Sequence, residues 1–370
     1  MQFIDLKSQQ KLISKRIEKR IQTVLKHGNY IMGPEVYELE ESLTEYVGVK
    51  YSITCSSGTD ALLIPLMAKN IKPGDAVITT PFTYIATAEV VALLGAEPVF
   101  VDVNPTTYNI DPNLIEDAIS SSYNKGLIPK AIISVDLFGI PARYRMIEKV
   151  AKKHNLFLIE DAAQSFGGSI RNKTAGSFGD VGSTSFFPAK PLGCYGDGGA
   201  IFTNDESLAN SMKSIRIHGS GSDKYDNVKI GLNGRLDTIQ AAILLEKLKI
   251  FDNEIVMRNK IAKYYSENIT DKLIKPYLPK DYISSWAQYS LLASSSKERK
   301  NLMSRLAKSK VPSMIYYRIP LHLQKVFKFL NYHKGDFPVS EEIAQKIFSI
   351  PMHPYLSREN QDAIIEVLNV

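Results

Sequence analysis

An α/β fold, with a mostly parallel sheet in a large first domain and a smaller α+β domain after it, is what the 370-residue sequence predicts. Three observations carry this expectation. Short apolar runs recur between residues 52 and 203. Helix-like stretches fall between several of them. Beyond about residue 250 the alternation gives way to mixed short elements. Strand–helix alternation argues for parallel strands joined by crossover helices, and the near-continuous apolar character of several runs fits a sheet covered on both faces.

The chain opens with a helix, because Ile13, Ile17, Ile21, Val24 and Leu25 repeat at helical spacing. Gly28 and Gly33-Pro34 punctuate it, and a second helix follows from Glu35. Strands are expected at residues 52–55, 76–80, 98–103, 131–138, 156–160, 183–187 and 200–203. Helices are expected at 60–68, 84–94 and 145–154. A long helix from Asp237 to about Ala262 carries Ile239, Ile243, Leu244, Leu248 and Ile250 on one broad side. After it come a strand at 286–293 and helices at 297–308 and 340–348. The expected division is residues 1–250 for the large domain and 251–370 for the small one.

Composition narrows the class. With 44% hydrophobic and 23% charged residues the chain has ordinary globular make-up, long enough for two or three domains at ~100–200 residues each. Its 45 basic and 39 acidic residues leave +6, scattered over amphipathic stretches, whereas nucleic-acid binding needs a clustered stripe. No apolar run approaches the ~18 residues of a membrane span. The opening MQFIDLKSQQ lacks a basic segment followed by an apolar core, so no signal peptide is expected. Two cysteines, Cys55 and Cys194, make neither a disulfide framework nor a metal cluster, which fits a reducing cytoplasm.

Three motifs carry chemistry. In Cys55-Ser56-Ser57-Gly58-Thr59-Asp60 a strand ends, a small polar loop turns and a helix begins. A helix N-terminus offers free N–H donors and partial positive charge to an anion; the plainer reading is an N-cap, with Ser57 or Thr59 starting an ordinary helix. Ile159-Glu160-Asp161-Ala162-Ala163-Gln164 places two carboxylates at a strand's C-terminal end, where ligands of open α/β sheets sit. An acid there suits a cationic ring nitrogen, with Gln164 adding a hydrogen bond; a solvated loop acid is the alternative. In the third motif, residues 183–201, a strand delivers Lys190 into a glycine-rich turn and another apolar strand follows. A desolvated lysine is an amine nucleophile, although a lone loop lysine reads as surface. The glycines have neither dinucleotide-fingerprint spacing nor a following helix, and a P-loop is absent.

An anion-binding helix end, a strand-end carboxylate and a strand-end lysine are what pyridoxal 5′-phosphate (PLP) requires for its phosphate, ring nitrogen and aldehyde. On these residues, together with Ser183 to Asp205 and Gly231-Leu232-Asn233-Gly234-Arg235-Leu236-Asp237, the chain resembles the DegT/DnrJ/EryC1/StrS sugar-nucleotide aminotransferases. The resemblance runs from Phe3-Ile4-Asp5-Leu6 to Pro351-Met352-His353-Pro354. It implies the aspartate-aminotransferase (fold-type I) architecture and a PLP-dependent transaminase. Lys190 matches the lysine that bears the cofactor and moves protons. Asp161 matches the partner of the ring nitrogen, Gln164 a contact to the ring's phenolic oxygen, and Tyr84 the aromatic stacked on the ring. Thr59, Asp60 (through backbone N–H) and Ser185 match the phosphate cradle. Asn233 matches a residue reaching the phosphate of the neighbouring subunit, so a homodimer with shared sites is implied.

Within the family, the segment 185–199 resembles enzymes that aminate C3 of UDP-linked 2-acetamido-3-keto sugars, with glutamate as donor and 2-oxoglutarate as product, in bacterial surface glycan (lipopolysaccharide, O-antigen) synthesis. Ile319-Pro320-Leu321-His322-Leu323-Gln324 also resembles dTDP-3-keto-6-deoxyhexose aminotransferases. Arg235, Tyr316, Tyr317 and His322 are the candidate contacts to sugar or diphosphate. Tyr316 stands where the uronate enzymes usually carry histidine, which leaves a C6 carboxylate open. A 4-keto-sugar aminotransferase and a non-catalytic PLP-binding regulator are the alternatives; a PLP-dependent dehydratase ranks lower, since relatives of that kind replace the lysine with histidine.

Overall fold

All seven apolar runs between residues 52 and 203 lie in strands of one sheet. The computed structural model describes residues 1–223 and 225–370. In chain order the strands are β1 (Tyr51–Cys55), β2 (Asp75–Thr79), β3 (Glu97–Phe100), β4 (Ile128–Val135), β5 (Phe157–Asp161), β6 (Ser169–Ile170), β7 (Lys173–Thr174), β8 (Val181–Ser185), β9 (Gly199–Thr203), β10 (Tyr282–Ile283), β11 (Tyr289–Leu292) and β12 (Ile347–Ile350). The main sheet has the order β1-β9-β8-β5-β4-β2-β3. From β8 to β3 every pairing is parallel, while β9 runs antiparallel to both β1 and β8. β10, β6 and β7 form a small sheet, and β11 pairs with β12.

The helices are α1 (Leu6–His27), α2 (Pro34–Val47), α3 (Gly58–Ala68), α4 (Ala86–Leu93), α5 (Ile115–Asn124), α6 (Tyr144–Lys153), α7 (Glu206–Arg216), α8 (Thr238–Asn268), α9 (Ser296–Lys308), α10 (Pro338–Lys346) and α11 (Arg358–Asn369). Their ends follow local chemistry. Asp5 caps α1 by accepting the Ser8 N–H at 3.0 Å, and Gly28 at φ +73° closes it. Pro34 opens α2, where a missing N–H costs nothing.

Successive strand residues point to opposite faces, and both faces are covered. Val77, Ile133 and Ile159 pack with Leu62, Ile64 and Met212 of α3 and α7. Their neighbours Ile78, Ile132 and Leu158 pack with Ile115, Ile119 and Ile147 of α5 and α6. Each such burial contributes about 1.5–3 kcal/mol. α8 has 31 residues, about 46 Å at 1.5 Å each. Its Ala241, Leu244 and Phe251 share a core with Phe186 and Phe202, whereas Ile261, Ala262 and Tyr265 join Leu291, Phe348 and Ile364 in a C-terminal core.

Some expected boundaries moved. β4 stops at Val135, not at Phe138. The buried Asp136 carboxylate takes the Ala142 N–H at 2.8 Å and the Tyr144 hydroxyl at 2.7 Å, and Leu137–Gly139 coils into a 3-10 turn with Phe138 at φ +60°. The helix expected at 340–348 ends at Lys346, because Ile347 and Phe348 enter β12 opposite Leu292 and Leu291. The strand expected at 286–293 shortens to β11. The sequence reading did not find α5, α7 and α11.

Candidate active site

The strand register gathers one set of chain ends. Cys55 and Ser185 both lie opposite Gly199, and Asp161 lies opposite Ser183 and Val135. The C-terminal ends of β1, β8, β5 and β4 therefore share one edge, and every turn that follows them starts there.

Asp161 ends β5 and is 7% exposed. Its Oδ2 accepts from Thr87 Oγ1 at 3.1 Å and its Oδ1 from the Ala163 N–H at 3.2 Å. Burial pushes this carboxyl above the ordinary carboxylate range, against the opposing pull of the Lys190 charge and of these hydrogen bonds. Lys190, partly buried in the turn after β8, moves the other way. Burial lowers its ammonium below the ordinary lysine value, and the Asp161 charge opposes that shift. Two groups with opposite perturbations, each felt by the other, mark a functional site.

Gln164 joins the same edge. Its Oε1 accepts the Phe138 N–H at 2.7 Å, and its Nε2 donates to Tyr317 Oη at 3.0 Å. Burial raises the Tyr317 phenol well above its ordinary value, and the ring packs edge-on against Phe82 and Tyr316. Tyr84 presents a ring that is 59% exposed.

The α3 terminus forms the anionic end. Ser57 caps it, accepting the Asp60 N–H at 3.0 Å, while the Asp60 carboxylate accepts from Ser56 Oγ. The Asp60 N–H is thereby occupied by the cap, and Gly58 and Thr59 supply the first-turn N–H groups that have no intrahelical acceptor. A Cβ on Gly58 would sit 2.5 Å from Ser185 Cβ and 2.9 Å from its Oγ. Only glycine lets the Ser185 hydroxyl close on the helix end. This hydroxyl beside first-turn N–H groups fits a phosphate, and the rest of the edge offers a carboxylate, an amine and an aromatic face, the kinds of group that PLP's ring nitrogen, aldehyde and ring call for.

The substrate candidates divide. Tyr317 and the partly buried Tyr316 stand at this edge, the latter against Phe3 with ring centroids 6.3 Å apart. Asn233 is exposed and accepts from Arg235 Nη2 at 2.5 Å; Arg235 Nε is buried with no partner among the described residues. The Gly234 carbonyl accepts the Ser56 N–H at 3.0 Å, which sets this segment beside the α3 loop. His322 departs from expectation. It is 2% exposed, lies 3.0 Å from Glu341 Oε1 and meets Phe337 edge-on, so the structure holds it inside a packed cluster.

Thr87 and Phe138 escaped the sequence reading. Thr87 stands one turn beyond Thr83 at the start of α4, an i, i+4 hydroxyl pair after a strand end that signals a polar face there. Nothing in the sequence marks Phe138, since its role is that of its backbone. Across the sheet, at the opposite strand edge, lies a cavity of about 960 Å³ that contains none of these groups.

The chain belongs to the DegT/DnrJ/EryC1/StrS aminotransferase family, whose profile matches residues 11–369. It is 48% identical over 357 residues, 96% of each protein, to the UDP-2-acetamido-2-deoxy-3-oxo-D-glucuronate aminotransferase of Pseudomonas aeruginosa. It is 40% identical over 368 residues to a pleiotropic regulatory protein of Geobacillus stearothermophilus, covering 98% of this chain and 96% of that one. A DegT/DnrJ/EryC1/StrS aminotransferase crystal structure from Brucella abortus superposes with TM-score 0.96 at 52% identity, over 100% of this chain and 98% of that one. NtdA of Bacillus subtilis, solved with bound pyridoxamine phosphate, superposes with TM-score 0.89 at 30% identity, over 99% and 82%. The protein is thus a PLP-dependent aminotransferase of fold type I, as the motifs implied.

Proposed function

We propose that the protein moves an amino group from L-glutamate to C3 of a nucleotide-linked keto sugar, a UDP-linked 2-acetamido-2-deoxy-3-keto-hexose or hexuronate. The observation that carries this reading is the convergence of Asp161 and Lys190, shifted in opposite senses, beside the Ser185 and α3 cradle. The Pseudomonas relative supports the sugar class.

When bound, PLP supplies an electron sink for the carbanion formed next to the transferred nitrogen. The chain's own groups do the rest. The α3 N-terminus and Ser185 hold the phosphate. Asp161 keeps a proton on the ring nitrogen by charge pairing, Gln164 orients the ring's phenolic oxygen, and Tyr84 covers one face. Lys190 Nζ, made more neutral by burial, takes the proton from the donor's α carbon and later returns one at sugar C3. Asn233 serves the phosphate of a second subunit, so the working unit is a homodimer. Arg235, whose Nε has no partner among the described residues, and Tyr316 read the sugar at C6. The reaction belongs to cytoplasmic synthesis of surface glycan precursors.

A coupled assay tests this. UDP-GlcNAc and its C6 acid are each supplied with a matching 3-dehydrogenase, NAD and glutamate, and products are read by mass. Formation of the 3-amino sugar with 2-oxoglutarate is expected. Amination only of a dTDP-linked 3-keto-6-deoxyhexose, or at C4, overturns the substrate reading.

A further inference from the structure

We propose that Thr83 and Thr87 form a directed hydrogen-bond chain that fixes the orientation of Asp161 toward the cofactor ring; this rests on Asp161 as partner of the ring nitrogen. Thr87 Oγ1 stands 3.1 Å from Asp161 Oδ2, and Thr83 Oγ1 stands 3.2 Å from Thr87 Oγ1. A carboxylate only accepts, so Thr87 donates to it and its one proton is committed. The contact between the two threonines then has a single sense, Thr83 donating to Thr87. Thr87 is 1% exposed and Thr83 3%, so water does not compete.

The elements explain the placement. Thr83 lies in the loop after β2 and Thr87 four residues later, in the first turn of α4. Ala88, Val90 and Val91 pack α4 against the sheet, and that packing holds the Thr87 hydroxyl at the end of β5. The Ala163 N–H restrains the other carboxylate oxygen. With a donor on each oxygen the carboxylate cannot rotate freely, and its remaining lone pairs are presented in a fixed direction. Hydrogen bonds to an ion in a low-dielectric site are stronger than neutral ones, so the chain also favours the charged form of an acid whose burial opposes it.

The test measures PLP affinity by visible absorbance titration as a function of pH. Thr87→Val is expected to weaken binding about tenfold and to move the acid limb of binding about one unit to higher pH, because a carboxylate deprived of its donor protonates sooner. Thr87→Ser should restore both to within about twofold, since it returns the donor. Thr83→Val should move the limb in the same sense by less. Unaltered affinity and limb in Thr87→Val, or a Thr87→Ser protein as defective as Thr87→Val, overturns the proposal. If Thr87→Val does not fold, Thr83→Val decides: a displaced limb supports the chain and an unmoved one overturns it. Asp161→Ala is measured alongside. If it binds PLP normally, the Asp161 reading itself falls; if it loses PLP while the threonine variants do not, the threonine chain alone falls.

Discussion

The two edges of the main sheet make opposite uses of polar residues. At the N-terminal edge of the parallel strands the cavity of about 960 Å³ is lined by groups such as Lys69, Lys130, Asn204, Asp180 and Asp205. Several of these already serve the fold: Asp180 accepts the Leu158 N–H at 2.8 Å, Asp205 caps α7, Asn204 holds the Lys50 N–H, and Lys69 lies over the Phe157 ring. At the C-terminal edge Asp161 and Gln164 are held by neighbours yet keep capacity for a ligand, and Asp161 and Lys190 are displaced from their ordinary ionisation. Space alone therefore does not locate chemistry; convergent groups with shifted protonation do.

The largest effect that sharpens this comparison is Lys190→Ala, which should reduce turnover to background while PLP is still retained by the phosphate cradle, read by steady-state rate and absorbance. Retained turnover would break the contrast between the edges. Next comes Asp161→Asn, expected to lower kcat/KM on the order of a hundredfold, the size typical of a lost electrostatic partner at a reacting centre.

A third prediction concerns the layer beneath the site. Glu160, next to Asp161 on β5, faces away from the ligand edge into full burial with Asp136. Burial pushes Asp136 up to about 7 and Glu160 well above its ordinary value. The folded state binds more protons than the unfolded chain from about pH 4 to about 7, so stability should fall as pH rises through that window, by up to about 1.4 kcal/mol per pH unit for each proton. Asp136→Asn should flatten the slope in melting curves taken at several pH values; an unchanged slope would remove the dyad from the account. The smallest effect is Lys130→Ala at the opposite edge, where activity should stay unchanged and stability should move by no more than about 0.5 kcal/mol in thermal melts.

What the sequence disclosed, and what it hid, follows from the range of each signal. Asp161 and Lys190 stood out as candidates because one ends an apolar strand and the other lies in the turn after one, where the pattern itself predicts a ligand edge. Gln164 was read from its strand-end motif and Tyr317 only through resemblance; their 3.0 Å contact joins residues 153 apart. His322 beside Pro320 reads as a candidate substrate contact, yet Phe337 and Glu341 arrive from a later segment and bury it. α5 and α7, IEDAISSSYN and ESLANSMKSIR, are rich in serine and asparagine, whose own helix preference is modest, so packing on the sheet decides their state.

Lys190 is the proposed cofactor-bearing amine, and a rival amine reaches the same turn from α8. Lys247 is buried in α8, donates to the Gly193 carbonyl at 2.6 Å, and is lowered by burial to about 8. Reducing the PLP-loaded protein with borohydride and mapping the modified peptide separates the two. The cofactor fixed to the peptide containing Lys190 is the result predicted here; modification at Lys247 or at any other lysine would contradict it.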